Sequence, residues 1–173
     1  MNLYNLHTQP ELLHKNDERL KIPEFAIDEI LKMDSIYEQR NNTDLIKVVS
    51  TDAESAYTYA YKVLQDRFEM GEEAIAKSAE YSVKYAMNII WGRWLPGEAI
   101  IATDARASYN YCRNVIKGPW KQGEDAIMKN PGYAYDYAYV FKQERWLEAE
   151  KYIKQSETDW NAYKTAFNMG VDE

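Results

Sequence analysis

The feature that most constrains the fold is a phrase that returns every 26 residues along the chain. It reads "RFEMGEEAI" from residue 67, "RWLPGEAII" from 93, "PWKQGEDAI" from 119 and "RWLEAEKYI" from 145. A fixed period of this length is typical of chains built from repeated units, in which each unit buries its apolar face only against its neighbours. The period therefore predicts a repeat architecture.

One column of the repeat contains only residue types that cap helix N-termini. A side-chain oxygen at such a position accepts a hydrogen bond from a free backbone N–H of the first helical turn. Pro131 directly follows one of these residues, and proline is tolerated there because its missing N–H is not needed. The column predicts five helix starts, after Asp52, Ser78, Asp104, Asn130 and Ser156.

The residues after each cap have helical apolar spacing. In the first unit Ala53, Ala56 and Ala60 share one face. Small residues let helices approach closely, and a neighbouring Tyr ring can cover the contact while its hydroxyl finds a polar partner. Tyrosine recurs at this position every 26 residues, as Tyr59, Tyr85, Tyr111, Tyr137 and Tyr163. We expect these tyrosines to be packing residues, and Cys112, in the adjacent small column, to be buried and inert.

A turn and a short second helix follow in each unit. Gly92 and Gly118 are expected to end the first helix, because glycine adopts the left-handed conformation common at helix C-termini. The glutamate that opens the short helix suits the positive end of its dipole. The arginine five residues earlier is expected to pair with that glutamate, and Pro119 interrupts this pattern in one unit.

The sequence thus predicts an all-α chain, a short α-solenoid of helix–turn–short-helix repeats with a 26-residue period. Residues 1–51 are predicted to form an N-terminal arm and a degenerate capping repeat. Residues 156–173 are predicted to form a C-terminal capping helix, in which Lys164 replaces the small packing residue and faces water. Between them, residues 52–155 divide into units one to four, at 52–77, 78–103, 104–129 and 130–155.

Composition narrows the classes of function. The net charge of −7 disfavours nonspecific affinity for nucleic acid or for an anionic membrane. The single cysteine excludes an internal disulfide and fits a reducing compartment. The N-terminus has no signal-peptide pattern, and no apolar run reaches the roughly 18 residues of a membrane span. We expect a cytoplasmic protein.

No catalytic or metal-binding signature is recognisable. The sequence has no Walker loop, no GxGxxG, no HExxH and no cysteine cluster. His7 and His14 are the only histidines, and both lie near the N-terminus, where no helical pattern supports a shared face. Without a plausible pair of nucleophile and base, the sequence predicts no enzyme activity, no cofactor and no metal site.

One exposed column provides the candidate binding residues. It is polar in three of its four units and is therefore expected to face solvent: Gln65, Trp91, Lys117 and Gln143. Trp91 is then an exposed tryptophan, a favoured interface anchor. Unit three adds a basic and amide-bearing helix face: Arg106, Asn110, Arg113 and Lys117. We expect Lys117 to lie beside Trp91. The alternative is an ordinary charged face, with Trp91 folded onto a neighbouring turn.

The phrase R-(F/W)-x-x-(G/A)-E-x-x-I, alternating with helices rich in Tyr and Ala, resembles tandem repeats in hypothetical proteins of tailed bacteriophages and some bacteria. The resemblance covers about residues 52–155, with Pro119 as its departure. It implies a phage-like origin. It carries over no activity and no catalytic residue.

The leading hypothesis is a non-enzymatic repeat protein that binds a host or phage protein in the host cytoplasm, as an inhibitor of a host defence or expression component. Three alternatives stay open. The chain could be a nucleotide-binding sponge or enzyme that stacks a base on Tyr and Trp, an acidic mimic of nucleic acid, or a virion component. Lysines mixed with glutamates along the helices disfavour mimicry.

Overall fold

The computed structural model describes residues 17–170, and these residues form helices and turns with no strand. The fold of this part of the chain is all-α, as the periodicity predicts. Its helices are α1 Pro23–Lys32, α2 Ile36–Asn41, α3 Thr43–Val49, α4 Ala53–Tyr59, α5 Glu69–Ile75, α6 Ala79–Tyr85, α7 Leu95–Ile101, α8 Ala105–Tyr111, α9 Glu124–Ile127, α10 Pro131–Tyr137, α11 Leu147–Ile153 and α12 Glu157–Ala166. Single 3₁₀ turns at Glu18–Lys21 and Lys121–Gly123 precede α1 and α9.

The five predicted helix starts are confirmed. Each cap residue has an extended backbone, and its side chain accepts a hydrogen bond from the backbone N–H three residues further on. The Asp104 carboxylate, for example, accepts from the N–H of Ala107 at 2.7 Å. These caps begin α4, α6, α8, α10 and α12, so the same local signal sets the start of the first helix in each repeat unit and of α12.

Four of these helices end in a π-helical segment, which the sequence analysis did not predict. The segments are Ala60–Leu64, Ala86–Ile90, Cys112–Ile116 and Ala138–Lys142. In the first of them the N–H of Gln65 donates to the carbonyl of Ala60, five residues back, at 2.8 Å. Each segment ends at a residue in the left-handed conformation, with φ between 53° and 56°.

Gly92 and Gly118 directly follow the end of the helix, as predicted, but they do not take the left-handed position. Trp91 and Lys117, one residue earlier, have the positive φ, and none of the described glycines does. The reason lies in the hydrogen bonds of the π segment. The N–H of Gly92 donates back to the carbonyl of Ala86 at 3.1 Å, so the chain has already reversed at Trp91.

The core consists of repeated rows of buried side chains. The five tyrosines of the predicted column are essentially inaccessible to solvent, and so is a row of isoleucines: Ile75, Ile101, Ile127 and Ile153. The small column beside the tyrosines is also fully buried, as expected. Cys112 belongs to it, and burial raises the pKa of its thiol to about 12. This thiol is therefore protonated at neutral pH.

Helices of consecutive units contact one another in chain order. Helix α4 packs on α5 and α6, α6 on α7 and α8, and the same pattern continues to α12. The approach of the short helix is very close. A Cβ added to Gly97 would lie 2.8 Å from Cβ of Ser82 and 2.7 Å from the Trp94 ring. The glycine at this position therefore lets α7 pack directly on α6.

The region before residue 52 keeps part of the repeat register. Helix α3 lies 26 residues before α5 along its whole length, and its Val49 is buried in the column of Ile75. Helices α1 and α2 take the place of a long helix, and α1 packs on α3 and α4. Most of the predicted arm, with His7 and His14, lies outside the described residues.

The last described helix, α12, differs from the other long helices in its packing. Trp160 stands in the column where the other units have Ala56, Ser82, Ser108 or Ala134. In units one to three a glycine of the short helix approaches this column, but no short helix follows α12 within the described residues. The Trp160 ring instead stacks on Tyr163 at 5.5 Å. Lys164, predicted to face water, is half-buried.

Candidate functional site

The Trp91 side chain is exposed to solvent at the end of the π-helical segment of unit two. The side chain is 82% exposed, and its equivalents Gln65, Lys117 and Gln143 are exposed as well. The prediction that this column faces solvent is confirmed. The alternative in which Trp91 folds onto a neighbouring turn is wrong, because that packing would bury the ring.

Two unfavourable features coincide at this residue. Its backbone has φ 56° and ψ 31°, a left-handed conformation that costs roughly 1–2 kcal/mol for residues with a Cβ. Its large apolar ring also gains almost nothing from burial within the chain. A left-handed residue is common at helix C-termini, so the backbone position itself belongs to the repeat. The position is strained in all four units, but only unit two places an aromatic ring there.

A second apolar side chain is exposed in the same turn. Leu95, at the start of α7, is 68% exposed. The equivalent residues are Glu69, Lys121 and Leu147, so unit two alone combines an exposed tryptophan with an exposed leucine. The turn between Ile90 and Leu95 is therefore the most apolar of the four equivalent turns.

The predicted basic residues of unit three are exposed and make no close ion pair with the described residues. Arg106, Arg113 and Lys117 form no ion pair within 4.0 Å in the part of the chain that the structure describes. Asn110 is half-buried. Among residues 17–170, no cation–π contact or hydrogen bond joins Lys117 to Trp91. The two residues occupy equivalent positions in adjacent units without touching by these measures.

A surface groove is lined by only two of the five predicted binding residues. It has a volume of about 330 Å³ and runs between α6 and α8. Arg106 and Asn110 line it, together with the Glu80–Lys84 ion pair, while Trp91, Arg113 and Lys117 do not. Val83 and Ala107 also line the groove. This groove was not predicted from the sequence, although Val83 and Ala107 stand in columns that carry tyrosine in other units.

The repeated arginines, glutamates and tyrosines have structural partners. In unit two Arg93 donates two hydrogen bonds to Glu98, at 2.8 and 2.9 Å. The hydroxyl of Tyr111 donates to the same carboxylate and accepts the backbone N–H of Trp94. The pKa of Glu98 is lowered by the Arg93 hydrogen bonds, against the opposing effect of burial. This cluster is internally satisfied, as expected for residues that recur in each unit.

Unit three keeps this cluster without its arginine. Pro119 occupies the arginine position, and Glu124 is held instead by Lys121 at 2.8 Å and Lys142 at 3.0 Å. Neither lysine has a lysine equivalent in the other units. Two substitutions therefore compensate for the loss of one arginine, and the buried glutamate stays paired.

Between residues 17 and 170, no group of three or more His, Cys, Asp or Glu is arranged to hold a metal ion. None of the helices described there has both the length and the apolar composition of a membrane span. No protein-family model, curated protein or solved structure matches the chain.

Proposed function

We propose that the chain is a non-enzymatic protein-binding repeat protein, a short α-solenoid that uses Trp91 as its main anchor. The observation that carries this proposal is the exposure of Trp91 on a left-handed backbone position. The unfavourable hydration of the ring is relieved if the ring enters a pocket of a partner. Tryptophan is among the residues most enriched at interface hot spots.

The surroundings of Trp91 define the kind of partner. Leu95 extends the apolar surface of the same turn, which suits a partner with a hydrophobic pocket. Arg113 and Lys117, in the following unit, are exposed cations with no ion pair within 4.0 Å among residues 17–170, and they favour acidic groups around that pocket. The partner is thus a protein with an apolar cavity and an acidic rim.

The class of partner follows from the resemblance of the repeat. Tandem repeats of this pattern resemble those in hypothetical phage proteins, which favours a host or phage protein as partner, met in the host cytoplasm. Inhibition of a host defence or expression component is the role we infer for such a complex. Repeat proteins commonly act by holding a partner on an extended surface.

Affinity purification from bacterial cells tests this function. The tagged wild-type chain is expected to retain a stoichiometric protein, and Trp91→Ala should weaken the isolated complex about 30-fold, which corresponds to ~2 kcal/mol. Gln143→Ala is the matched control, because Gln143 has the same exposed left-handed position in unit four.

Three results would contradict the proposal. Unchanged affinity of Trp91→Ala would remove Trp91 as the anchor. Nucleotide released from the purified chain on denaturation would favour the nucleotide-binding alternative. Displacement of DNA from a captured DNA-binding protein would favour mimicry of nucleic acid.

A further inference from the structure

Tyrosine pairs fill two of the junctions between consecutive long helices. Tyr57 of α4 meets Tyr81 of α6 with ring centroids 5.8 Å apart. Tyr109 of α8 stacks on Tyr133 of α10 at 5.4 Å. The two pairs use the same two columns of the repeat, since Tyr109 and Tyr133 lie 52 residues after Tyr57 and Tyr81. An aromatic pair is thus the filling that this geometry accommodates.

The junction between α6 and α8 has the same two columns but no aromatic ring. Val83 and Ala107 stand in the positions of Tyr57 and Tyr81, and both are more than 90% buried. The groove of about 330 Å³ lies at this junction. Its volume is at the lower end of the roughly 300–1,000 Å³ typical of small-ligand pockets, which suits a single ring better than a large cofactor.

A hydrogen-bond donor marks where the hydroxyl of such a ring would lie. In the junction between α4 and α6, Nδ2 of Asn88 donates to the Tyr57 hydroxyl at 2.8 Å. The residue equivalent to Asn88 in the next unit is Asn114, and Asn114 lines the groove. Its Nδ2 donates to the carbonyl of Asn110 at 2.9 Å, and an amide NH₂ group has a second N–H to give.

We propose that this groove binds a tyrosine side chain presented by a partner polypeptide. The ring takes the place that Tyr57 has one unit earlier and packs on Val83 and Ala107. Its hydroxyl accepts a hydrogen bond from Nδ2 of Asn114. Phenylalanine fits the same space but leaves this donor unused, so the groove discriminates between the two rings.

The rim of the groove favours a residue within a polypeptide over a free phenol. Glu80 and Lys84 form one edge as an ion pair at 2.7 Å, and Arg106 lies on the opposite helix. The Glu80 carboxylate accepts hydrogen bonds, and Lys84 and Arg106 donate them, which suits the N–H and C=O groups that flank a tyrosine in a chain. The inference depends on the proposed function for the existence of a partner, but Trp91 does not line the groove and the two sites are tested separately.

Nuclear magnetic resonance of the full ¹⁵N-labelled chain tests the groove without a partner. The probes are N-acetyl-L-tyrosinamide, N-acetyl-L-phenylalaninamide and p-cresol at millimolar concentration. Tyrosinamide is expected to shift the side-chain amide of Asn114 and the backbone N–H of Ala107. Asn114→Ala should weaken tyrosinamide binding about 3- to 10-fold and leave phenylalaninamide binding unchanged. Absence of these shifts, or equal affinity for both amides, overturns the proposal. Binding of p-cresol alone overturns the polypeptide as the source of the ring.

A variant that fills the groove provides the matched control. Val83→Tyr combined with Ala107→Tyr rebuilds the pair found at the neighbouring junctions, and it is expected to fold and to lose the tyrosinamide shifts. Retention of those shifts overturns the proposal. Trp91→Ala should bind tyrosinamide as the wild type does. Loss of partner capture in Trp91→Ala, with no tyrosinamide binding in the wild type, would retain the proposed function and eliminate the groove as a site.

Discussion

The hydroxyl of Tyr111 donates a hydrogen bond to Oε1 of Glu98 at 2.9 Å, across the boundary between units three and two. The same hydroxyl accepts the backbone N–H of Trp94 at 3.0 Å, in the turn of unit two. Equivalent contacts join Tyr85 to Glu72, Tyr137 to Glu124 and Tyr163 to Glu150. Helices α6, α8, α10 and α12 are therefore each tied to the turn of the preceding unit by a polar contact as well as by apolar packing.

Removing one such hydroxyl should destabilise the chain measurably. Tyr111→Phe leaves the buried N–H of Trp94 without a partner, and we expect the free energy of unfolding to fall by about 1–3 kcal/mol. Urea unfolding followed by circular dichroism measures this change. Tyr139→Phe is the control, because Tyr139 is exposed and its change should stay within about 0.5 kcal/mol. Equal effects of the two variants would show that the buried hydroxyl does not hold the units together.

The same cluster predicts sensitivity to acid. Hydrogen bonds from Arg93, opposed by burial and assisted by Tyr111, hold the pKa of Glu98 below its usual value of 4.5. A carboxylate whose pKa is lower in the folded state stabilises the fold above the unfolded pKa, and this contribution is lost as pH falls through the folded pKa. We expect the free energy of unfolding to decline between about pH 5 and pH 3.

The Glu98→Gln variant separates this contribution from general charge effects. It should be less stable than the wild type at pH 7, and the difference between the two unfolding free energies should shrink as pH falls below 4.5. The exposed carboxylate of Glu148 provides a control, since Glu148→Gln should follow the wild-type pH dependence. A constant difference between Glu98→Gln and wild type across this pH range would contradict the prediction.

The pairing of Glu124 with Lys121 and Lys142 in unit three predicts that an arginine at position 119 can replace a lost lysine. Lys142→Ala removes one partner of the buried Glu124 and the cation 4.8 Å from the Trp146 ring, and we expect a loss of about 1–3 kcal/mol. Adding Pro119→Arg to that variant restores the arginine of the other units and should recover most of the loss. Thermal unfolding of the single and double variants measures the rescue. Equal stabilities of the two variants would show that position 119 cannot supply the missing charge.

Periodicity predicted the parts of the fold that depend on residue type at fixed positions. The caps, the buried tyrosines and the pairing of Arg67, Arg93 and Arg145 with the glutamates all follow from columns of like residues. The π segments could not be predicted this way, because a carbonyl five residues away accepts the same N–H as one four residues away. The left-handed position therefore shifted from Gly92 to Trp91.

The candidate site was predicted only in part for a similar reason. The exposure of Trp91 could be predicted because the equivalent residues of the other units, Gln65, Lys117 and Gln143, are polar. The groove arises from the absence of two rings at facing positions on different helices. Val83 and Ala107 are unremarkable core residues when each is considered alone. Only the observed pairing of Tyr57 with Tyr81 and of Tyr109 with Tyr133 shows what the junction between α6 and α8 lacks.

The end of the described series gives a further prediction at Trp160. Its ring stacks on the buried Tyr163, and Nζ of Lys154 lies 4.5 Å from the ring centroid. Trp160→Ala uncovers Tyr163, and because Trp160 is only partly buried we expect a loss of about 2–4 kcal/mol. Asn161→Ala, one residue further on an exposed face, should be nearly neutral. A small effect of Trp160→Ala in urea unfolding would mean that Tyr163 does not depend on this cover.

The strained position of Trp91 predicts a variant that gains stability. Glycine adopts positive φ without the steric cost that a Cβ imposes, so Trp91→Gly should raise the free energy of unfolding by about 1 kcal/mol. Lys117→Gly, at the equivalent position of unit three, should give a similar gain, whereas Trp91→Ala keeps the strain and should change stability little. Urea unfolding of the three variants tests the backbone argument without reference to any partner. A loss of stability in Trp91→Gly, with a gain in Lys117→Gly, would show that the indole ring itself stabilises the fold. A gain in both glycine variants would mean that Trp91 does not serve stability, and partner binding would then explain the tryptophan in unit two.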